Sequence, residues 1–276
     1  MEEKINGKLK LIYQKWLASA EKTNGIFGTP NATDVFSNPY FFGVTEKWEQ
    51  SDKRILFVGQ EGYSGHWNSY DMNGDGHYIN YNDISKLQEA SILTTNVSLT
   101  GKPQTITIFG KSFDVKPNVG SFWNAMKDIA TNQGKTYAAE CAWTNIDLVC
   151  YNQKRNKRRV LLVKDRKRLH NGMPQVLEET IKAAKPTHVV FFSYRDVAAE
   201  HEFGVTHKVF SKAFLGKKDK VLLFNFANTP CLMTYYHPNQ TRIVGYKNGI
   251  TKAICDYIYR GKKDELIVSE NILKNQ

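Results

Sequence analysis

Apolar and polar positions along the chain switch repeatedly between a helical and an extended rhythm. Ile5, Leu9, Ile12 and Trp16 recur at helical spacing, which predicts an amphipathic helix over residues 3–22. Residues 23–50 are rich in Asn, Gly, Pro and aromatics and read as a loop-rich lead-in whose Phe41 and Phe42 pack on the core. The run Arg54-Ile55-Leu56-Phe57-Val58 then reads as a buried parallel strand and ends in Gly59-Gln60-Glu61-Gly62-Tyr63-Ser64-Gly65. Ser121 is placed to cap a helix carrying Phe122, Met126, Ile129 and Ala130 on one face. Ala142 to Val149 predicts a strand with Asn145 inside it, Pro174 opens a helix that stops before Pro186, and Thr187 to Ser193 predicts another strand. Strands are also expected around Val205 to Phe210, Val221 to Phe226 and Leu232 to Tyr236. The last of these delivers His237-Pro238-Asn239-Gln240-Thr241-Arg242. Ile250, Ile254, Tyr257 and Ile258 mark a closing helix.

Strands alternating with helices give an α/β fold, a three-layer α/β/α arrangement around a mainly parallel sheet. The expected organisation is a lead-in at 1–50, a main domain at 51–262 and a tail at 263–276. An aromatic-rich insertion at about 66–116 sits inside the main domain; Thr105 to Phe109 in it alternates like a hairpin strand. Within it, Asp71-Met72-Asn73-Gly74-Asp75-Gly76 starts like a calcium loop, but Asn82 stands where a bidentate Glu is needed. A polar turn is the expectation, and no metal site.

Charge narrows the partners. Lys and Arg number 38 against 27 Asp and Glu, a net charge of +11, which favours a polyanion. Nine basic residues fall in the fifteen positions from Lys154 to Arg168, and Arg155, Lys157, Arg158 and Arg159 are read as a phosphate-contacting loop. No run of 18 apolar residues is present, so no membrane span is expected. The acidic start Met1-Glu2-Glu3 is unlike a signal peptide, and Cys141, Cys150, Cys231 and Cys255 lack any C-x-x-C spacing. A cytoplasmic protein with reduced thiols is expected.

Three strand ends carry chemistry: Glu61 with Gln60 and Tyr63, then Asn145, then His237. A carboxylate can orient water, an amide can read a donor and acceptor pair, and an imidazole can stabilise a departing charge. Taken together, Val58-Gly59-Gln60-Glu61-Gly62-Tyr63, Trp143-Thr144-Asn145-Ile146 and Tyr236-His237-Pro238-Asn239 resemble the uracil-DNA glycosylase superfamily over roughly residues 52–260. The helix–strand unit from Leu177 to Phe192 also resembles that family's.

The resemblance implies a uracil-DNA glycosylase-like fold and a monofunctional DNA glycosylase that needs no cofactor. It implies DNA, duplex or single-stranded, as partner, and a monomer is expected. Glu61 stands at the position of the water-activating acid, and Tyr63 at that of the aromatic walling the pyrimidine C5 edge. Asn145 stands where an Asn pairs with the base, and His237 where a His stabilises the base O2. Phe113 and Phe122 are both candidates for the aromatic that stacks on the base, and Gln240 to Arg242 for the duplex wedge. Gly62 replaces the family's Pro, and Asn239 its Ser, the phosphate contact. Uracil or a modified pyrimidine is the expected base. Two alternatives stand beside it: excision of a bulky modified base from phage DNA in defence, and a catalytically silent nucleic-acid binder.

Overall fold

The computed structural model describes residues 4–24, 40–61, 83–108, 111–118, 120–134, 138–148, 175–192, 203, 207–238, 246–269 and 273. Its centre is a six-stranded, mainly parallel sheet. The strands are β1 (Arg54–Glu61), β4 (Glu140–Asp147), β5 (His188–Phe192), β6 (Val221–Phe226), β7 (Thr229–Thr234) and β8 (Leu266–Val268), in the order β4-β1-β5-β7-β6-β8. A separate antiparallel hairpin, β2 (Gln104–Ile108) with β3 (Lys111–Val115), stands outside it. Among the described residues six α-helices accompany the strands: α1 (Ile5–Asn24), α2 (Ile84–Thr100), α3 (Ser121–Ala130), α4 (Val176–Ala184), α5 (His207–Ala213) and α6 (Lys252–Arg260). The fold is therefore α/β, in an arrangement compatible with three layers.

The central strands read as continuous apolar runs because both sheet faces are covered. Ile55, Leu56, Phe57 and Val58 are all buried, as are Val189, Val190, Phe191 and Phe192. Phe57, Trp143, His188 and Phe192 share one face by the period-two alternation of paired strands. On that face Phe122 of α3 meets Phe192 edge-on, Tyr257 of α6 meets His188, and the Tyr259 hydroxyl donates to the Ile129 and Ala130 carbonyls. The opposite face carries Phe191 and Phe224 against Phe203 and Phe210. The lead-in is tied down as its aromatics suggest: Phe41 stacks on Tyr13, and the Trp48 indole donates to the Ala184 carbonyl at 2.7 Å.

The antiparallel pair of the main sheet is β6 with β7, joined through Ala227 and Asn228, both at positive φ (52° and 58°). Two central residues at positive φ match the twist of flanking strands, which is why this turn closes a hairpin.

Four expectations are corrected. Residues 207–210, expected as the end of a strand, begin helix α5, because Phe210 and Phe214 are spaced for one helical face and both are fully buried. Ser121 does not cap α3; Gly120 precedes the helix at φ +127°, a backbone that a Ser rarely adopts. Leu266 to Val268, inside the expected tail, pairs parallel with β6. The aromatic-rich stretch also contains an unforeseen 17-residue helix, α2, packed between α1, α3 and β4. Its Asp83 carboxylate accepts from the Lys86 N–H as an N-cap. The helix was hidden because its buried face is half polar, with Gln88, Ser91, Thr94, Thr95 and Ser98 inside.

Candidate active site

Parallel strands β1 and β4 run in register, so Gly59 lies opposite Asn145 and Glu61 opposite Asp147 at their carboxyl ends. Ligands of open α/β sheets bind beyond such ends. Asn145 is buried on a strand that carries Thr144 and Asp147, also buried, among the apolar Cys141, Ala142, Trp143 and Ile146. Its Oδ1 lies over Gly59, where a β-carbon would stand closer than any real contact allows, and Phe122 borders the same space at 3.6 Å. Its Nδ2 donor is buried and has no hydrogen-bond partner among the described residues. An unpaired buried donor costs about 1–3 kcal/mol, so its retention calls for an explanation beyond folding.

His237 follows β7. The Thr234 hydroxyl donates to the Tyr236 carbonyl at 2.8 Å, bending the chain there and presenting the imidazole to α3. Its ring lies parallel to Phe122, with centroids 5.6 Å apart and planes within 9°. Burial pushes the His237 imidazole down to about 4, so it is neutral at neutral pH. Phe122 is the hub: it also meets Phe192 at 5.2 Å, Trp123 at 5.5 Å and Trp143 at 6.1 Å.

Of the residues singled out from the sequence, Asn145, Phe122 and His237 are thus brought together, beside the main chain of Gln60 and Glu61. The Gln60 and Glu61 side chains lie outside the described set. Phe113 falls elsewhere, paired with Ile106 in the β2–β3 hairpin, and its side chain also lies outside that set. Tyr63, the basic positions Arg155, Lys157, Arg158 and Arg159, and Asn239, Gln240 and Arg242 lie outside the described residues, as do the calcium-like loop and Pro174.

Two residues of this end carry no role in the sequence reading. Asp147 is a carboxylate only 1 % exposed, in register with Glu61. Trp143, two residues before Asn145, has a buried indole N–H without a partner among the described residues. The signal was present in the alternation: residues 143, 145 and 147 share a face with Gly59 and Glu61.

The groove of about 700 Å³ between α1 and α2, lined by Asn6, Lys10, Gln88 and Asn96 among others, contains none of these residues. Its carboxylate, Glu89, is already paired with Lys86. Chemistry therefore favours the strand-end cluster over this groove. Among the described residues no group of His, Cys, Asp and Glu could hold a metal ion, and no helix is long and apolar enough to cross a membrane. Compared with protein-family models, with curated proteins and with solved structures, the chain matches none.

Proposed function

We propose that the chain is a DNA glycosylase with a uracil-DNA glycosylase-like, three-layer fold, acting on uracil or a modified pyrimidine. The observation that carries the reading is the buried Asn145 amide donor, without a partner among the described residues, next to Phe122, which stacks on a neutral His237. A flipped base supplies what that cluster lacks among the described residues, an acceptor for the amide, and its flat face suits a site built of aromatic rings. A basic chain of net charge +11 favours the polyanion that carries such a base.

In this reading the C1′–N bond breaks through an oxocarbenium-like state. Glu61, at the end of β1, orients the attacking water and offsets the positive sugar. Asn145 binds the base edge. His237, neutral, donates its ring N–H to the base oxygen that gains charge, and so stabilises the leaving anion without itself changing charge. Arg155, Lys157, Arg158 and Arg159 contact phosphates. The protein acts as a monomer in the cytoplasm.

The test is a panel of oligonucleotides, each carrying one altered base, assayed for abasic-site formation. Alkali-labile breaks at uracil or a modified pyrimidine are the expected result. Binding to every member with no abasic site would leave only a nucleic-acid binder.

A further inference from the structure

β4 holds two buried donors without partners among the described residues, not one. Trp143 Nε1 and Asn145 Nδ2 both belong to side chains at least nine-tenths buried. They are two residues apart on a strand, so they share a face, opposite Phe57 and Gly59 of β1. Both side chains border Phe122, whose ring meets Trp143 at 66° and reaches the space over Gly59 beside the Asn145 amide. Trp143 is otherwise flanked by Trp123 at 5.1 Å and Tyr40 at 5.5 Å, and neither the Tyr40 phenol nor any other described group accepts from its indole N–H. A fold optimised only for packing would place Phe or Leu at both positions, since an unmet buried donor weakens the folded state.

We propose that Trp143 is a second recognition residue of this site, its indole N–H donating to an acceptor atom of the bound base. This rests on the base-excision reading. It also narrows the substrate class. Two donors side by side demand acceptor lone pairs on the base atom turned toward β4, as the O4 carbonyl of uracil offers. An exocyclic amine, as on cytosine or adenine, would set donor against donor. The indole therefore adds a rejection of amine-bearing bases that a lone Asn, whose amide can turn over, does not provide.

The experiment replaces the N–H while keeping the ring: Trp143→3-benzothienylalanine, in which sulfur stands for the indole nitrogen, with Trp143→Phe as a simpler second variant. Thermal melting without DNA and single-turnover excision from uracil- and cytosine-containing oligonucleotides are measured for both. The isosteric variant should melt at or above the wild-type temperature and cleave uracil about 5- to 10-fold more slowly, the worth of one hydrogen bond. Its preference for uracil over cytosine should narrow by a similar factor. Trp143→Phe should show the same narrowing, whatever its stability.

A lower melting temperature of the isosteric variant with unchanged excision would overturn the inference, since the protein itself would then be using the N–H. An active wild type with unaltered base preference in both variants would do the same and leave the base-excision reading standing. If the wild type opens neither oligonucleotide, the uracil form of that reading falls. The donor pair is then judged by thermal shift with free uracil and free cytosine. A rise with uracil alone, lost in the isosteric variant, supports it; equal rises, or none, overturn it.

Discussion

Gly59 exists to make room for Asn145. A β-carbon on Gly59 would fall under 3.0 Å from the Asn145 Oδ1, and no positive φ at Gly59 demands a glycine for backbone reasons. The neighbour that must give is the amide proposed to read the base. Gly59→Ala is therefore expected to fold, at a cost of about 1–3 kcal/mol for overpacking, and to lose at least about 10²-fold in excision as the displaced amide leaves its geometry. Single-turnover kinetics beside a denaturant melt separates the two effects. An active Gly59→Ala protein would show that the amide position does not matter.

The register pair Glu61 and Asp147 sets a second test. Glu61→Gln should lower turnover by about 10²–10⁴, the usual worth of a positioned acid or base, while DNA binding and melting stay near wild type. Asp147→Asn should leave most of the turnover. The reverse outcome, an active Glu61→Gln and a silent Asp147→Asn, would move the water to the buried carboxylate.

Two half-buried imidazoles give the fold an acid-sensitive term. Burial lowers His237 to about 4; burial, with the nearby Lys53, does the same to His188. Both stand below the 6.5 of an exposed His, so the unfolded chain binds the proton first. Each contribution is full above about 6.5 and is lost as pH falls toward 4, amounting to about 3 kcal/mol apiece. His237→Phe and His188→Phe should each flatten the slope of stability between pH 6.5 and 4 in urea titrations. Excision should show no limb from His237 near pH 6.5. A rate that falls with an apparent pKa of 6.5, and keeps falling there only while His237 is present, would contradict its neutral state.

The parallel core was legible because strands covered on both faces must be apolar throughout, as Ile55 to Val58 and Val189 to Phe192 are. The cluster of Asn145 and His237 was legible for a related reason: a polar residue buried near the end of a core strand needs a partner or a ligand. Helix α2 was not, since Thr94, Thr95 and Ser98 face inward and blur the apolar stripe. The choice between Phe113 and Phe122 was closed to sequence, because both follow turn signals and only packing puts Phe122 against His237. Trp143, though part of the motif around Asn145, carried no role because a buried Trp looks like ordinary core until its N–H is traced.

The basic run between β4 and α4 makes a prediction about salt rather than rate. Neutralising Arg155, Lys157, Arg158 and Arg159 together should weaken binding to all sequences alike. The slope of log affinity against log salt should fall by about 0.9 for each duplex phosphate that the protein no longer neutralises. An unchanged slope would mark these four as a solvated surface, and the +11 charge would then need another explanation.

Asn145→Asp addresses the base itself. Uracil offers an N3–H donor beside its O4 acceptor, and a side-chain amide can meet both, its oxygen accepting and its nitrogen donating. In the folded chain the Asn145 oxygen rests over Gly59 and the nitrogen is the buried end, unpartnered among the described residues. Aspartate replaces that nitrogen with a second acceptor. Against uracil O4 this sets oxygen against oxygen in a dry site, at about 1–3 kcal/mol or more for the unmet pair. Against cytosine the same oxygen receives the exocyclic amine. Excision of uracil should therefore drop by about 10-fold or more, and some cytosine excision should emerge, read as abasic sites in matched oligonucleotides. If the Asp variant keeps the wild-type preference, Asn145 is a structural strand residue and the glycosylase reading loses the observation that carries it.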